Sequence, residues 1–144
     1  MKSILICDDE KDFREMISED MEYINPQSRI ITAKSLDEAV KLATPEIAKD
    51  NLGIIFTDGQ LKPGHGYDLL MKLKDIGYKG PAVYIGLSTP EDEDKLKAFT
   101  KIIRKAPPIN YGIMAEYAKS VLNMYENQKT IQSELTPQLE CYLK

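Results

Sequence analysis

Two short apolar runs that end on carboxylates constrain this chain more than anything else in it. Ser3-Ile4-Leu5-Ile6-Cys7 leads straight into Asp8-Asp9-Glu10, and Gly53-Ile54-Ile55-Phe56-Thr57 leads into Asp58. A continuous apolar run of this length, bounded by polar residues, reads as a strand covered on both faces, as in a parallel sheet. In open parallel α/β sheets the ligand crevice lies just beyond the carboxyl ends of the strands. Two neighbouring strands of this kind deliver three carboxylates to one small crevice. Like charges held that closely repel unless a cation joins them. Mg²⁺ suits an all-oxygen set, because it takes one or two carboxylates and keeps waters that a phosphate can replace. The residues therefore outline a site for phosphate chemistry.

A chain of 144 residues is expected to form one main domain with a sizeable core. An apolar fraction of 42% argues against disorder as a description of the whole. The net charge is −4 and the lysines are scattered among acids, so there is no basic footprint for direct nucleic-acid binding. No apolar run approaches the length of a membrane span, and Met1-Lys2 leads directly into a strand rather than a leader. A cytoplasmic chain without membrane insertion is expected. Two cysteines make no disulfide framework: Cys7 is read as a small buried hydrophobe, and Cys141 lies almost at the C-terminus. His65 has no second soft ligand beside it and is read as a loop residue.

Further along, Phe13, Met16, Ile17, Met21 and Ile24 recur at helical spacing until Asn25-Pro26 stops the helix. Arg29 to Ala33 predicts a short strand. Ser35-Leu36-Asp37-Glu38 fits a capping box ahead of a second helix. Thr44-Pro45-Glu46 repeats a start signal inside that helix and predicts a kink or break. After the strand ending at Asp58, Gly64-His65-Gly66 is a loop, and residues 67–76 form a helix closed by Gly77. Residues 81–87 predict a fourth strand ending at Ser88, and Thr89-Pro90 opens a short acidic helix reaching about Phe99. Ile102-Ile103 is a very short fifth strand that ends at Arg104-Lys105. A last long helix carries Ile113, Met114, Tyr117, Val121, Leu122 and Tyr125, read as core.

Strand and helix thus alternate five times, which predicts an α/β fold: a five-stranded parallel sheet, doubly wound, with helices on both faces. The domain is expected to occupy residues 1–126. In the C-terminal tail, 127–144, Ile131, Leu135, Leu139 and Leu143 recur every fourth position. That stripe suits a helix packed on its own domain or on a second copy, as in a homodimer. No separate output domain is expected.

The strand ends collect into one set: Asp8, Asp9, Asp58, Ser88 and Lys105. A carboxylate can act as a nucleophile and carry a phosphoryl group. A lysine ammonium binds a phosphoryl oxygen as a point charge, and a hydroxyl donates to another. Each residue alone has a bland reading, since Asp8-Asp9 suits a helix N-terminus and Lys105 suits solvent. Those readings do not account for five such residues, at the ends of four strands, in one order.

With this set in place, the chain resembles the receiver domain of bacterial two-component response regulators, from about Lys2 to Tyr125. Ile4-Leu5-Ile6-Cys7-Asp8-Asp9-Glu10 is similar to the opening strand and acidic pair of that family. Ile54-Ile55-Phe56-Thr57-Asp58, with Pro63 and Gly66 beyond it, is similar to its phosphoacceptor segment. Ser88 and Lys105 stand where the family places a hydroxyl residue and a lysine. The resemblance implies the (βα)5 receiver fold with strand order 2-1-3-4-5, and Asp58 as phosphoacceptor from a histidine kinase, a phosphotransfer protein or a small phosphodonor. It implies direct Mg²⁺ ligation by Asp9, Asp58 and the backbone carbonyl of Gln60, with Asp8 acting through metal-bound water. Ser88 and Lys105 would hold phosphoryl oxygens, and Gln60 and Pro90 match the positions that tune how long the phosphate survives. The chain would be a signalling phosphoprotein rather than an enzyme, acting only on its own phosphoaspartate and passing its signal to a downstream protein.

The departures are specific. The fourth helix, between Ser88 and Lys105, is shorter than is usual. Lys105 is followed by Ala106-Pro107-Pro108 rather than directly by proline. Ile102 stands where many receivers carry an aromatic switch residue, and His65 where many carry Asp. The shortened helix and Ile102 favour a second reading, a degenerate receiver acting as a phosphorylation-independent interaction module. The complete set of Asp8, Asp9, Asp58, Ser88 and Lys105 opposes it. A haloacid-dehalogenase-type phosphatase needs Asp-x-Asp after the first strand, and Asp8-Asp9-Glu10 fails that spacing. No Gly-rich loop follows the first strand, which excludes a P-loop or dinucleotide site.

Overall fold

The computed structural model describes residues 2–61, 63–85, 100–103 and 111–127. Their strands are β1 (Ser3–Cys7), β2 (Ile30–Ala33), β3 (Leu52–Asp58), β4 (Ala82–Ile85) and β5 (Thr100–Ile103). Their helices are α1 (Lys11–Ile24), α2 (Leu36–Ala48), α3 (Gly66–Ile76) and α4 (Tyr111–Glu126). All neighbouring strands pair in parallel, in the order β2-β1-β3-β4-β5. This is the α/β architecture and strand order expected from the sequence. The acidic helix expected at 89–99, with Pro90, and the tail stripe of Ile131, Leu135, Leu139 and Leu143 lie outside the described residues.

Alternation along each strand divides the core in two. Ile4 and Ile6 of β1 join Ile54, Phe56, Val83 and Ile85 beneath Ile17 and Met21 of α1 and Met114, Ala118 and Val121 of α4. Leu5 and Cys7 turn the other way, with Ile31, Ala33, Ile55 and Tyr84, under Ala39 and Ala43 of α2 and Leu69 and Leu73 of α3. Both faces of β1 and β3 are covered, which is why their sequences read as unbroken apolar runs. Asn25, buried just beyond α1, donates from Nδ2 to the Ala115 carbonyl at 3.2 Å and ties α1 to α4.

The second helix corrects two expectations. Its N-terminus is capped by Ser35 as read, but only half of the capping box forms: the Ser35 hydroxyl accepts the Glu38 N–H at 3.2 Å, while the Glu38 carboxylate accepts the N–H of Lys34, one residue before the cap, at 3.1 Å. The break expected at Pro45 does not occur, and α2 runs through it to Ala48. Pro45 falls in the last turn, on an exposed face shared with Lys41 and Thr44. The Lys41 carbonyl that proline leaves without a helical donor is therefore on a solvated face, where the loss is small. Glu46 is not a start signal either. Its buried carboxylate accepts from Arg29 Nη1 at 3.0 Å and from Asn51 Nδ2 at 3.5 Å, fastening the end of α2 to the approaches of β2 and β3.

From β1 the chain passes to β2 on one side, then to β3 on the other. The reversal between β1 and β3 opens a crevice at their carboxyl ends, where such folds place ligands. Asp8 and Asp58 stand at that edge.

Candidate functional site

Asp8 follows the last residue of β1 and is 2% exposed. Its Oδ1 accepts the Glu10 N–H at 2.8 Å, which turns the chain toward α1 and satisfies one of the helix's early donors. The Asp8 carbonyl accepts from Arg14 Nη1, also at 2.8 Å, so the first turns of α1 hold the residue in place. Asp9, next along, is half-buried at the mouth. Asp58 ends β3 and is 6% exposed, with its backbone in register with Ile85 of β4. One ligand oxygen from each of Asp8, Asp9 and Asp58 lies within 4.8 Å of the others.

The floor beneath these acids is inert. The Cys7 thiol donates to the Ser35 carbonyl at 3.6 Å. Burial pushes its pKa up to about 12, with the Asp8, Asp58 and Glu38 carboxylates adding to the shift and Arg14 opposing it. A thiol so placed stays protonated at neutral pH and is a wall rather than a nucleophile.

The turn after Asp58 is tied at several points. The Gly59 N–H donates to the Ile85 carbonyl at 2.9 Å, and the Gly66 N–H donates to the Gly59 carbonyl at 3.0 Å. Gln60 bridges to His65, the Leu61 N–H donates to the Gly64 carbonyl at 3.1 Å, and the Leu61 side chain is fully buried beneath. Gly66 is the first residue of α3 rather than part of the loop, and a Cβ there would collide with the Asp58 carbonyl. Glycine at 66 lets α3 begin directly against the strand end that carries the acid. His65 serves as the cap residue before it: its N–H donates to Asp68 Oδ2 at 3.2 Å.

The structure thus brings together Asp8, Asp9 and Asp58, with the Gln60 backbone two residues beyond Asp58. Ser88 and Lys105 lie outside the described residues; of the strands that precede them in the sequence, β4 runs parallel beside β3 and β5 runs parallel beside β4. Two contributors escaped the sequence reading. Arg14 sits a helical turn beyond Asp9 and grips the Asp8 carbonyl. Tyr84 of β4 reaches the Gly59 carbonyl with its hydroxyl at 3.3 Å. Glycine directly after the acid was the only sequence signal for that contact.

Three carboxylate oxygens, with no nitrogen or sulfur donor in the cluster among the described residues, form a hard set, which fits Mg²⁺ and similar cations better than zinc or copper. The surrounding apolar core strengthens their mutual repulsion and equally their attraction for a cation.

No protein-family model matches the chain, and no curated protein matches it. Solved structures do. The N-terminal domain of an uncharacterized protein from Wolinella succinogenes is 20% identical, with a TM-score of 0.75 over 90% of this chain and 100% of that one. A response regulator receiver domain protein from Clostridium thermocellum is 18% identical, with a TM-score of 0.73 and coverage of 90% and 100%. A two-component response regulator from Clostridium difficile is 22% identical, with a TM-score of 0.68 and coverage of 87% and 98%. At these identities the likeness is one of architecture: the chain has the fold of response-regulator receiver domains.

Proposed function

We propose that this chain is a phosphoacceptor receiver of a two-component phosphorelay. The observation that carries the reading is the meeting of Asp8, Asp9 and Asp58 at the reversal point of a 2-1-3-4-5 parallel sheet. Asp58, at the end of β3, is the group that reacts. A carboxylate oxygen attacks the phosphorus of a phosphohistidine on a kinase or phosphotransfer protein, a P–O bond forms, and the P–N bond to the imidazole breaks. The ties on Gly59 and Gly66 hold that carboxylate at the strand end, where positioning and electrostatics supply most of the catalysis of phosphoryl transfer. Mg²⁺, held directly by Asp9, Asp58 and the Gln60 carbonyl and by Asp8 through metal-bound water, would supply positive charge opposite the phosphoryl oxygens. The Ser88 hydroxyl and the Lys105 ammonium would hold the remaining phosphoryl oxygens. The signal then leaves by contact with a downstream protein, with residues 1–126 as the receiver and the tail as an appendage.

The test is direct. Wild-type protein incubated with Mg²⁺ and acetyl phosphate is expected to gain one phosphoryl group by mass, lost on mild alkaline hydrolysis, and beryllofluoride is expected to occupy the same place. Asp58→Asn abolishes both. A wild-type chain that shows no Mg²⁺-dependent change sinks the phosphoacceptor reading and leaves the phosphorylation-independent interaction module in its place.

A further inference from the structure

Gly59 joins Asp58 to Gln60, so its peptide links the proposed acceptor to the residue whose carbonyl is the expected metal ligand. The space beside it is already filled. A Cβ at position 59 would lie 2.7 Å from Tyr84 Oη and 2.9 Å from Tyr84 Cζ, closer than carbon atoms approach in real structures. The Tyr84 ring therefore lies where a side chain of residue 59 would go. Tyr84 is 3% exposed and sits in β4 with its backbone in register with Thr57 of β3. From there its hydroxyl donates to the Gly59 carbonyl at 3.3 Å in a buried setting. That carbonyl also accepts the Gly66 N–H at 3.0 Å, while the Gly59 N–H donates to the Ile85 carbonyl at 2.9 Å. Both lone pairs of the oxygen and the one donor of the residue are engaged. Two of these three holds come from β4, and Tyr84 is the only one made by a side chain.

We infer that Tyr84 is a positioning residue for the acid site, orienting the Asp58–Gly59–Gln60 turn toward a bound divalent cation through the Gly59 carbonyl. This role rests on the phosphoacceptor reading. With the Gly59 N–H and the Gly59 carbonyl both held, the peptide planes on either side of Gly59 are fixed, and the second of them sets the direction in which Gln60 and its carbonyl follow. Partners of this kind, one step removed from the ligands, set metal affinity without touching the metal. The pairing also has a logic in the sequence. A small residue after the acid leaves room for an aromatic from the adjacent strand, and the aromatic returns a hydrogen bond to the backbone it exposes.

Tyr84→Phe keeps the ring and removes only the hydroxyl. The Mg²⁺ dissociation constant, measured by calorimetric titration, is expected to rise about three- to tenfold, at the lower edge of the effect of outer-shell partners. The rate of labelling by acetyl phosphate, followed against Mg²⁺ concentration, shifts its midpoint by the same factor and keeps its plateau. Tyr125→Phe is the control. It loses a comparable bond, from Oη to the Gly53 carbonyl at 2.9 Å, at the far end of β3, and it lowers stability without moving the Mg²⁺ midpoint. Amide exchange supplies a readout without metal: Gly66 exchanges faster in Tyr84→Phe and unchanged in Tyr125→Phe. An unaltered Mg²⁺ midpoint in Tyr84→Phe overturns the role, as does an equal shift in Tyr125→Phe or an unaltered Gly66 exchange rate. A wild-type chain that binds no Mg²⁺ overturns the phosphoacceptor reading and this role together, so the wild-type titration tells the two failures apart.

Discussion

Asp9 is the half-buried member of the three carboxylates, and its charge is the one that water and a cation reach first. At an effective dielectric near 20, two unit charges 4.8 Å apart repel by roughly 3 kcal/mol. The solvent on Asp9's open side reduces that considerably. Asp9→Asn in EDTA is therefore expected to raise the stability of the fold by about 1 kcal/mol, read from the urea midpoint. Adding Mg²⁺ should raise the wild-type midpoint, because a ligand that binds only the native state stabilises it by mass action, and should raise the variant's less. If Asp9→Asn is the less stable form in EDTA, charge crowding is not what these residues store. At this scale the sequence is legible where chemistry coincides with a strand end, as at Asp8, Asp9 and Asp58. It is silent where the partner arrives through space. Nothing in the sequence singles out Arg14, and Tyr84 is only one residue of the expected fourth strand; the fold sets them against the Asp8 and Gly59 carbonyls.

Among the elements, α2 holds the clearest conflict between local preference and packing. Proline in a helix interior costs about 3 kcal/mol or more through a lost hydrogen bond and a ring clash. At Pro45 the ring faces solvent in the last turn, while Ala43 and Glu46 on either side are buried. Burial of those neighbours, and the bonds from Arg29 and Asn51 to Glu46, outweigh the break signal. Pro45→Ala is expected to stabilise the protein by about 1 kcal/mol, less than for a mid-helix proline because the freed carbonyl is already solvated. A lower urea midpoint would mean instead that proline's restraint on the unfolded chain is the larger effect. The same comparison explains what could be read in advance. The strands β1 and β3, buried on both faces, announced themselves by composition. The continuity of α2 depended on Glu46 finding Arg29 seventeen positions away, which no local window contains.

Across the whole molecule, the two edges of the sheet are built in opposite ways. The carboxyl edge gathers Asp8, Asp9 and Asp58. The other edge is closed by tyrosines: Tyr125 Oη donates to the Gly53 carbonyl at the start of β3, and Tyr78 Oη donates to the Pro81 carbonyl just before β4. Both hydroxyls crowd Gly80. Lys2 covers this edge, with Nζ 4.5 Å from the centre of the Tyr125 ring and 2.7 Å from the Asp50 carbonyl. Burial raises the Tyr78 pKa well above the usual 10, with Tyr125 and Tyr117 adding to the shift. Burial also pushes Tyr117 up to about 12, and burial with the Asp50 carboxylate does the same for Tyr125. Each of these groups has a folded pKa above its unfolded one, so its share of stability is complete below pH 10 and is lost as pH rises through the folded value. The buried Cys7 thiol adds a loss of its own that begins lower, near pH 9. Above pH 10 the unfolded chain releases protons that the native chain keeps, and stability must fall with pH. Urea midpoints are therefore expected to be level from pH 7 to 9, to decline gently to 10, and to drop steeply between 10 and 12. Tyr78→Phe separates the two roles of that hydroxyl. Losing the bond to Pro81 lowers the midpoint at pH 8, and losing a buried titrating group makes the decline above pH 10 shallower, so the variant and wild-type curves converge as pH rises. Parallel curves over that range would mean that the Tyr78 hydroxyl ionises as readily in the folded chain as in the unfolded one, and that this edge of the sheet admits water.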